Sequence, residues 1–198
     1  MKVAIIGTGK MGRGFATALA SKHQVTVGSR DPDRARKVAS ATGAARGATY
    51  AEAAADAEVV ILTVPWPAID DTLGQLGELN QTVVIDVSWP VRKSEREALA
   101  GSSTAEQIQK RLPRARVVKG WNHVHAQHLT APEVDGIAAS VLIAGDDPAA
   151  KQTVFGLARD MGFHPVDVGP LKVTRELERL VGMMLFMRLG PLRVLSPS

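Results

Sequence analysis

A chain of 198 residues, 45% of them apolar and 22% charged, can bury one sizeable core but is short for two, which points to a single domain over 1–198 and excludes a fibrous or disordered protein. With no cysteine there is no disulfide, no thiolate nucleophile and no cysteine-held metal or iron–sulfur centre, so redox chemistry has to be supplied by a bound cofactor. The net charge of +4 is spread without runs or interleaved aromatics, no apolar stretch approaches the roughly 20 residues of a membrane span, and 1–6 is too short for a secretory segment, so the expectation is a cytoplasmic protein that contacts neither nucleic acid nor membrane.

The chain opens on an apolar run at 3–6 that reads as a strand buried on both faces. Gly7, Thr8, Gly9, Lys10, Met11 and Gly12 follow at once, and then apolar residues at helical spacing, Met11, Phe15, Ala18 and Leu19. Strand, GxGxxG and helix in that order form a dinucleotide-binding turn, whose glycines permit a tight bend, close approach of a pyrophosphate and tight helix–strand packing. The diphosphate would rest on the free N–H groups of the helix N-terminus.

A second strand at 25–27 ends in Gly28, Ser29 and Arg30, where an NAD-binding domain normally carries an acidic residue for the ribose hydroxyls. A hydroxyl and a guanidinium, joined by Arg34 one helical turn on, suit a 2′-phosphate instead, which predicts NADP(H) over NAD(H). Asp31 before Pro32 marks the next helix start. The strands at 59–64 and 82–87 bring Thr63, Val64 and Pro65, and Val87 and Ser88, to the carboxyl edge of the sheet, where the cofactor lies by the switch-point rule. The charged stretch 92–101 reads as a loop, and Ser103 with Glu106 as a capping box.

The strand at 116–118 leads into Trp121, Asn122, His123 and His125, the candidate residues for the acceptor pocket. No acidic cluster accompanies His123, His125 and His128, so a metal site is not expected. No general acid–base pair stands out either, which favours transfer between two cofactor rings held face to face over reduction of a simple ketone. Strands at 140–144 and 165–168 complete the series, with a helix begun by Asp147 and Pro148 between them. A last helix, about 172–189, is apolar almost all round at Leu180, Val181, Met183, Met184, Leu185, Phe186 and Met187, and is expected to dimerise the chain or close the acceptor site. The βαβα alternation predicts a Rossmann-type α/β fold with a doubly wound, mainly parallel sheet.

Taken together, these motifs resemble the NADPH-dependent reductases of the deazaflavin coenzyme F-420 (F420) and, more distantly, the NADPH domains of membrane ferric reductases. The resemblance spans nearly the whole chain, through 7–12, 27–30, 63–66, 103–106, 117–122, 145–147 and 169–171 followed by Arg175 and Leu177. It implies a homodimer, a 2′-phosphate held by Ser29, Arg30 and Arg34, and F420 against the nicotinamide near 121–125. The chain has Asn122 where the founding enzymes carry a histidine, and 86–90 lacks their asparagine before the proline. Three other readings keep the same first half: a flavin or ferric reductase, an imine reductase similar to pyrroline-5-carboxylate reductase, and a non-catalytic NADPH sensor.

Overall fold

The β-branched runs form strands and the stretches of 3.6-residue period between them form helices, as their patterns dictate. The computed structural model describes residues 1–99, 101–187, 189–192 and 194, with the side chains of Ala98 and Leu185 left aside. The first half of the chain runs β1 (Lys2–Ile6), α1 (Lys10–Leu19), β2 (Gln24–Gly28), α2 (Pro32–Thr42), β3 (Arg46–Ala48), α3 (Tyr50–Ala54), β4 (Val59–Leu62), α4 (Ile69–Leu73), β5 (Val83–Asp86) and α5 (Lys93–Ala98). The second runs α6 (Thr104–Arg111), β6 (Arg116–Lys119), β7 (Glu133–Val134), β8 (Ile137–Ala138), β9 (Ser140–Gly145), α7 (Pro148–Asp160), β10 (His164–Gly169) and α8 (Thr174–Met187).

Eight strands make one sheet in the order β3-β2-β1-β4-β5-β6-β9-β10, while β7 and β8 pair as a separate hairpin. From β3 to β6 every pairing is parallel. Chain direction reverses once, where β9 meets β6 antiparallel through Val118 with Gly145 and Lys119 with Ala144. In that register the first residues of β9 run beyond the end of β6 and flank the segment after Lys119. β10 continues parallel to β9. Apolar side chains fill both faces of the sheet: Ile5, Phe15, Ile61 and Leu157 on one, Ile6, Leu62, Ile69 and Ile108 on the other.

Capping chemistry marks the helix starts as expected. Asp31 accepts from the N–H groups of Asp33 and Arg34, Asp147 from that of Ala150, and Ser103 and Glu106 form the reciprocal box. The stretch expected to be a loop at 92–101 contains α5 instead. Its sequence lacks an apolar stripe, and its start is held by polar contacts: Glu95 accepts from the Arg92 N–H at 3.3 Å, and the Arg96 guanidinium donates to the Pro90 and Val91 carbonyls. β3 was not expected because its three residues, Arg-Gly-Ala, carry no β-branched side chain, and it pairs only along Thr26, Val27 and Gly28.

The last helix is shorter than the expected 172–189. Residues Leu171–Val173 form a 3-10 turn ahead of α8, Leu189 lies past its end, and Arg188 falls outside the described residues. The helix is also one-sided. Leu177, Val181 and Met184 are buried, whereas Met183, Phe186 and Met187 face outward. Among the described residues no helix is long and apolar enough to cross a membrane.

Candidate functional site

The turn after β1 is shaped by what its glycines leave out. A Cβ on Gly12 would lie 2.1 Å from the Gly7 carbonyl oxygen, so only glycine lets α1 start this close to the strand. A Cβ on Gly9 would meet nothing within 4 Å. That open space lies at the N-terminus of α1, where backbone N–H groups and the helix dipole favour an anion. Gly9 is thus a cradle that a side chain would fill, and the residues present fit a dinucleotide pyrophosphate. Thr8 is buried, Lys10 is exposed and Met11 is partly covered. Thr63 sits under the turn, its hydroxyl donating to the Ile6 carbonyl at 2.9 Å and so tying the end of β4 to that of β1.

At the end of β2, Ser29 is nearly buried and its hydroxyl accepts from the Asp31 N–H at 3.2 Å. The nearest acid, Asp31, is spent on capping α2, because its Oδ1 takes the N–H groups of Asp33 and Arg34 at 3.0 and 3.2 Å. Arg30 and Arg34 are both exposed, and neither forms a salt bridge among the described residues, while Asp33 pairs with Arg36. Two guanidiniums therefore stand beside the strand end without a carboxylate to neutralise them.

From this turn a crevice of 640 Å³ runs along the carboxyl edge of the sheet. Met11 in the first turn of α1, Thr63, Val64 and Pro65 after β4, and Val87 and Ser88 after β5 line it. Two indoles, Trp66 and Trp89, extend its apolar lining, with Arg111 over the first ring at 6.0 Å and Arg96 over the second at 5.7 Å.

The acceptor-pocket candidates after β6 are not brought to this crevice together. Trp121, at φ 55°, is 1% exposed and packs edge-on against Phe15 and Phe163 in the core. His123 is buried, with Nε2 at 3.1 Å from the Ser140 carbonyl and Nδ1 at 3.3 Å from Asn122 Oδ1. Burial pushes its imidazole below the usual histidine range, against the smaller opposing effect of the Ser140 carbonyl. Asn122 donates to the Leu177 carbonyl in α8 at 3.4 Å, and only His125 of this group is exposed.

Beneath the crevice wall lies a buried polar cluster that the sequence reading passed over. The Lys119 ammonium, fully buried, has four oxygens within reach of its three N–H groups: Asp86 Oδ2 at 2.8 Å, the Ser88 carbonyl at 2.7 Å, Thr104 Oγ1 at 2.6 Å and Glu178 Oε1 at 2.9 Å. Burial alone would lower its pKa; the attraction of Asp86 and Glu178 and their hydrogen bonds outweigh this and hold it above the ordinary lysine value. One signal was available in the sequence: β5 and β6 are apolar strands that end in opposite charges, and Asp86 and Lys119 are register partners in the parallel pair. Thr104 and Glu178 carried no such signal.

Comparison with known proteins places this architecture. Residues 2–90 match the family model described as NADP oxidoreductase, coenzyme F420-dependent. The chain is 32% identical over 210 residues to the F420-dependent NADP reductase of Methanothermobacter marburgensis, a match covering 93% of this chain and 91% of that one. It is 35% identical over 180 residues to rat metalloreductase STEAP3, covering 90% of this chain but spanning only 36% of that longer protein. A solved structure from Arthrobacter sp. FB24, titled as a candidate F420-dependent NADP-reductase, superposes with a TM-score of 0.86 at 27% identity, covering 99% of this chain and all of that one. The chain belongs to the coenzyme F420-dependent NADP oxidoreductases and is an NADP-dependent oxidoreductase.

Proposed function

We propose that this chain transfers a hydride between NADP(H) and coenzyme F420, held at the two ends of one crevice. The carrying observation is the continuity of that crevice. It starts at Met11 and Thr63, beside the glycine turn, and runs past Trp66 and Trp89 to Arg92 and Glu95, so a nicotinamide and a flat ring can share one largely apolar trough. The likeness to an F420-dependent NADP reductase along 93% of the chain supports the choice of acceptor.

In this reading the N–H groups at the start of α1 hold the pyrophosphate over Gly9, with Lys10 at its edge. Ser29, Arg30 and Arg34 hold the 2′-phosphate, the guanidiniums as charge-assisted forks. Val64, Pro65, Val87 and Ser88 form the wall along the nicotinamide end, and Trp66 and Trp89 keep water from it. Bound NADPH supplies two electrons and one hydrogen to the acceptor, and the second hydrogen of the reduced acceptor comes from water as a proton. The outward Met183, Phe186 and Met187 of α8 are the surface through which two copies pair, with light scattering as the check.

The test is to mix protein and NADPH with F420, FMN, FAD and a ferric chelate in turn and follow NADPH absorbance. Oxidation with F420 is expected; tight NADPH binding with no oxidation by any acceptor would make the chain a sensor. Reduction of the ferric chelate alone would favour a second reading, supported by the 35% identity to STEAP3, in which iron is the acceptor.

A further inference from the structure

The Lys119 cluster is costly. It withdraws an ammonium and two carboxylates from water, and well-packed apolar residues would hold the same elements together at least as firmly. Hydrogen bonds offer what apolar packing does not, namely a fixed direction and distance. Those of the cluster converge on two neighbouring residues of the crevice wall. Ser88 has all its polar groups held: its N–H and hydroxyl donate to Asp86 Oδ1 at 2.8 and 2.6 Å, and its carbonyl accepts from Lys119. Trp89 is held from the other side, its indole N–H donating to the main-chain carbonyl of Glu178 at 2.8 Å.

The same Glu178 carboxylate takes the Lys119 ammonium, the Thr104 N–H at 2.9 Å and the Thr104 hydroxyl at 2.6 Å, which ties α8 to the start of α6 and the end of β6. Beside the wall, an added Cβ on Gly182 would lie 3.8 Å from the Trp89 ring, so α8 backs this indole directly. Five pieces of chain, the ends of β5 and β6, the segment after β5, the start of α6 and α8, are thus referred to one ammonium.

We propose that Lys119, Asp86, Thr104 and Glu178 are positioning residues for hydride transfer: they fix the Ser88–Trp89 wall against α8 so that the acceptor ring meets the nicotinamide at reacting distance. The inference rests on the proposed function for its acceptor, but the wall and its anchoring do not depend on which acceptor is used. Because transfer between two held rings is sensitive to displacements well under the width of an atom, a wall that is present but loose costs rate before it costs binding.

Glu178→Gln tests this, since it keeps the shape of the side chain and leaves Lys119 paired with Asp86. The variant should fold and bind NADPH within about twofold of the parent, because the glycine turn and Arg30 are remote from the change. Single-turnover hydride transfer to F420 should fall about 10- to 100-fold, with a raised KM for F420 and a larger isotope effect from NADPH deuterated at the transferred position. The emission of bound NADPH, which reports the nicotinamide surroundings without any acceptor, should change as well. Trp89→Phe, which removes the indole N–H together with part of the ring, should also slow transfer and shift the emission, and carries the test if Glu178→Gln does not fold. Unchanged transfer and unchanged emission in a folded variant overturn the proposal. So does a loss of NADPH binding and rate in equal proportion, the mark of a merely structural role. If the parent protein reduces no acceptor, the functional reading fails, and the emission of bound NADPH still decides the role of the cluster.

Discussion

Two regions along the carboxyl edge of the sheet are built on opposite plans. At the glycine turn and the end of β2 the protein turns its polar groups outward, toward space that only a ligand can fill: free N–H groups over Gly9, and the exposed guanidiniums of Arg30 and Arg34. At the ends of β5 and β6 it turns charge inward, where Lys119, Asp86 and Glu178 satisfy one another and leave an apolar wall facing the ligand. The first plan spends side chains on binding and the second spends them on holding a surface still. Substitutions in the first region should therefore change affinity in an intact protein, and those in the second should reach the ligand only through the fold.

The largest effect expected from this contrast is at Lys119. Lys119→Met strands two carboxylates without their cation and should cost about 3–5 kcal/mol of stability in chemical denaturation. A variant as stable as its parent would mean that the cluster contributes nothing to holding these elements. Next, Arg30→Glu should weaken NADPH at least about tenfold, since a charge-assisted bond worth roughly 2 kcal/mol gives way to repulsion. NADH binding and the melting temperature should barely move; equal loss for both nucleotides would remove the assignment of Arg30 to the 2′-phosphate.

Two alanines, three residues apart, sharpen the comparison within the turn itself. Gly9→Ala has room in the fold and should leave the melting temperature in place while weakening NADPH by about 1–3 kcal/mol, whereas Gly12→Ala drives a methyl into the Gly7 carbonyl and should lower the melting temperature first. The smallest effect concerns pH. Because burial holds His123 below its ordinary value of 6.5, the unfolded chain takes up a proton there before the folded one does. Its contribution to stability is complete above that value and is lost as pH falls below it, toward the lower folded pKa. Thermal melts across this range should show a shallower slope for His123→Asn than for the parent.

This difference in plan also explains what the sequence disclosed. The glycine turn, the capped helices and the strand ends at Ser29 and Val87 were legible because each is a local device: a few adjacent residues whose spacing carries the geometry. The wall behind the crevice was not, because Thr104 and Glu178 come from segments far apart in the chain and look like ordinary helix residues, a first-turn threonine and a glutamate in a charged stretch. Trp121 and His123 show the converse. Polar and aromatic types after a strand end suggested a ligand pocket, yet an indole between two phenyl rings and an imidazole between a carbonyl and an amide are buried in the interior behind it. Residue type alone could not tell which side of the loop faces the crevice.

The single reversal of chain direction at β9 has a consequence for how such a protein changes its chemistry. Because β9 turns back and overshoots the end of β6, the last third of the chain returns to the segment after Lys119, and its helix α8 comes to lie behind Trp89 of the crevice wall. The wall and its backing are then separate stretches of sequence joined at a seam of two residue pairs and one buried ammonium. A lineage can keep the wall that faces the ligand and repack the backing behind it, so shifting where a ring sits, provided the seam at Lys119 is preserved.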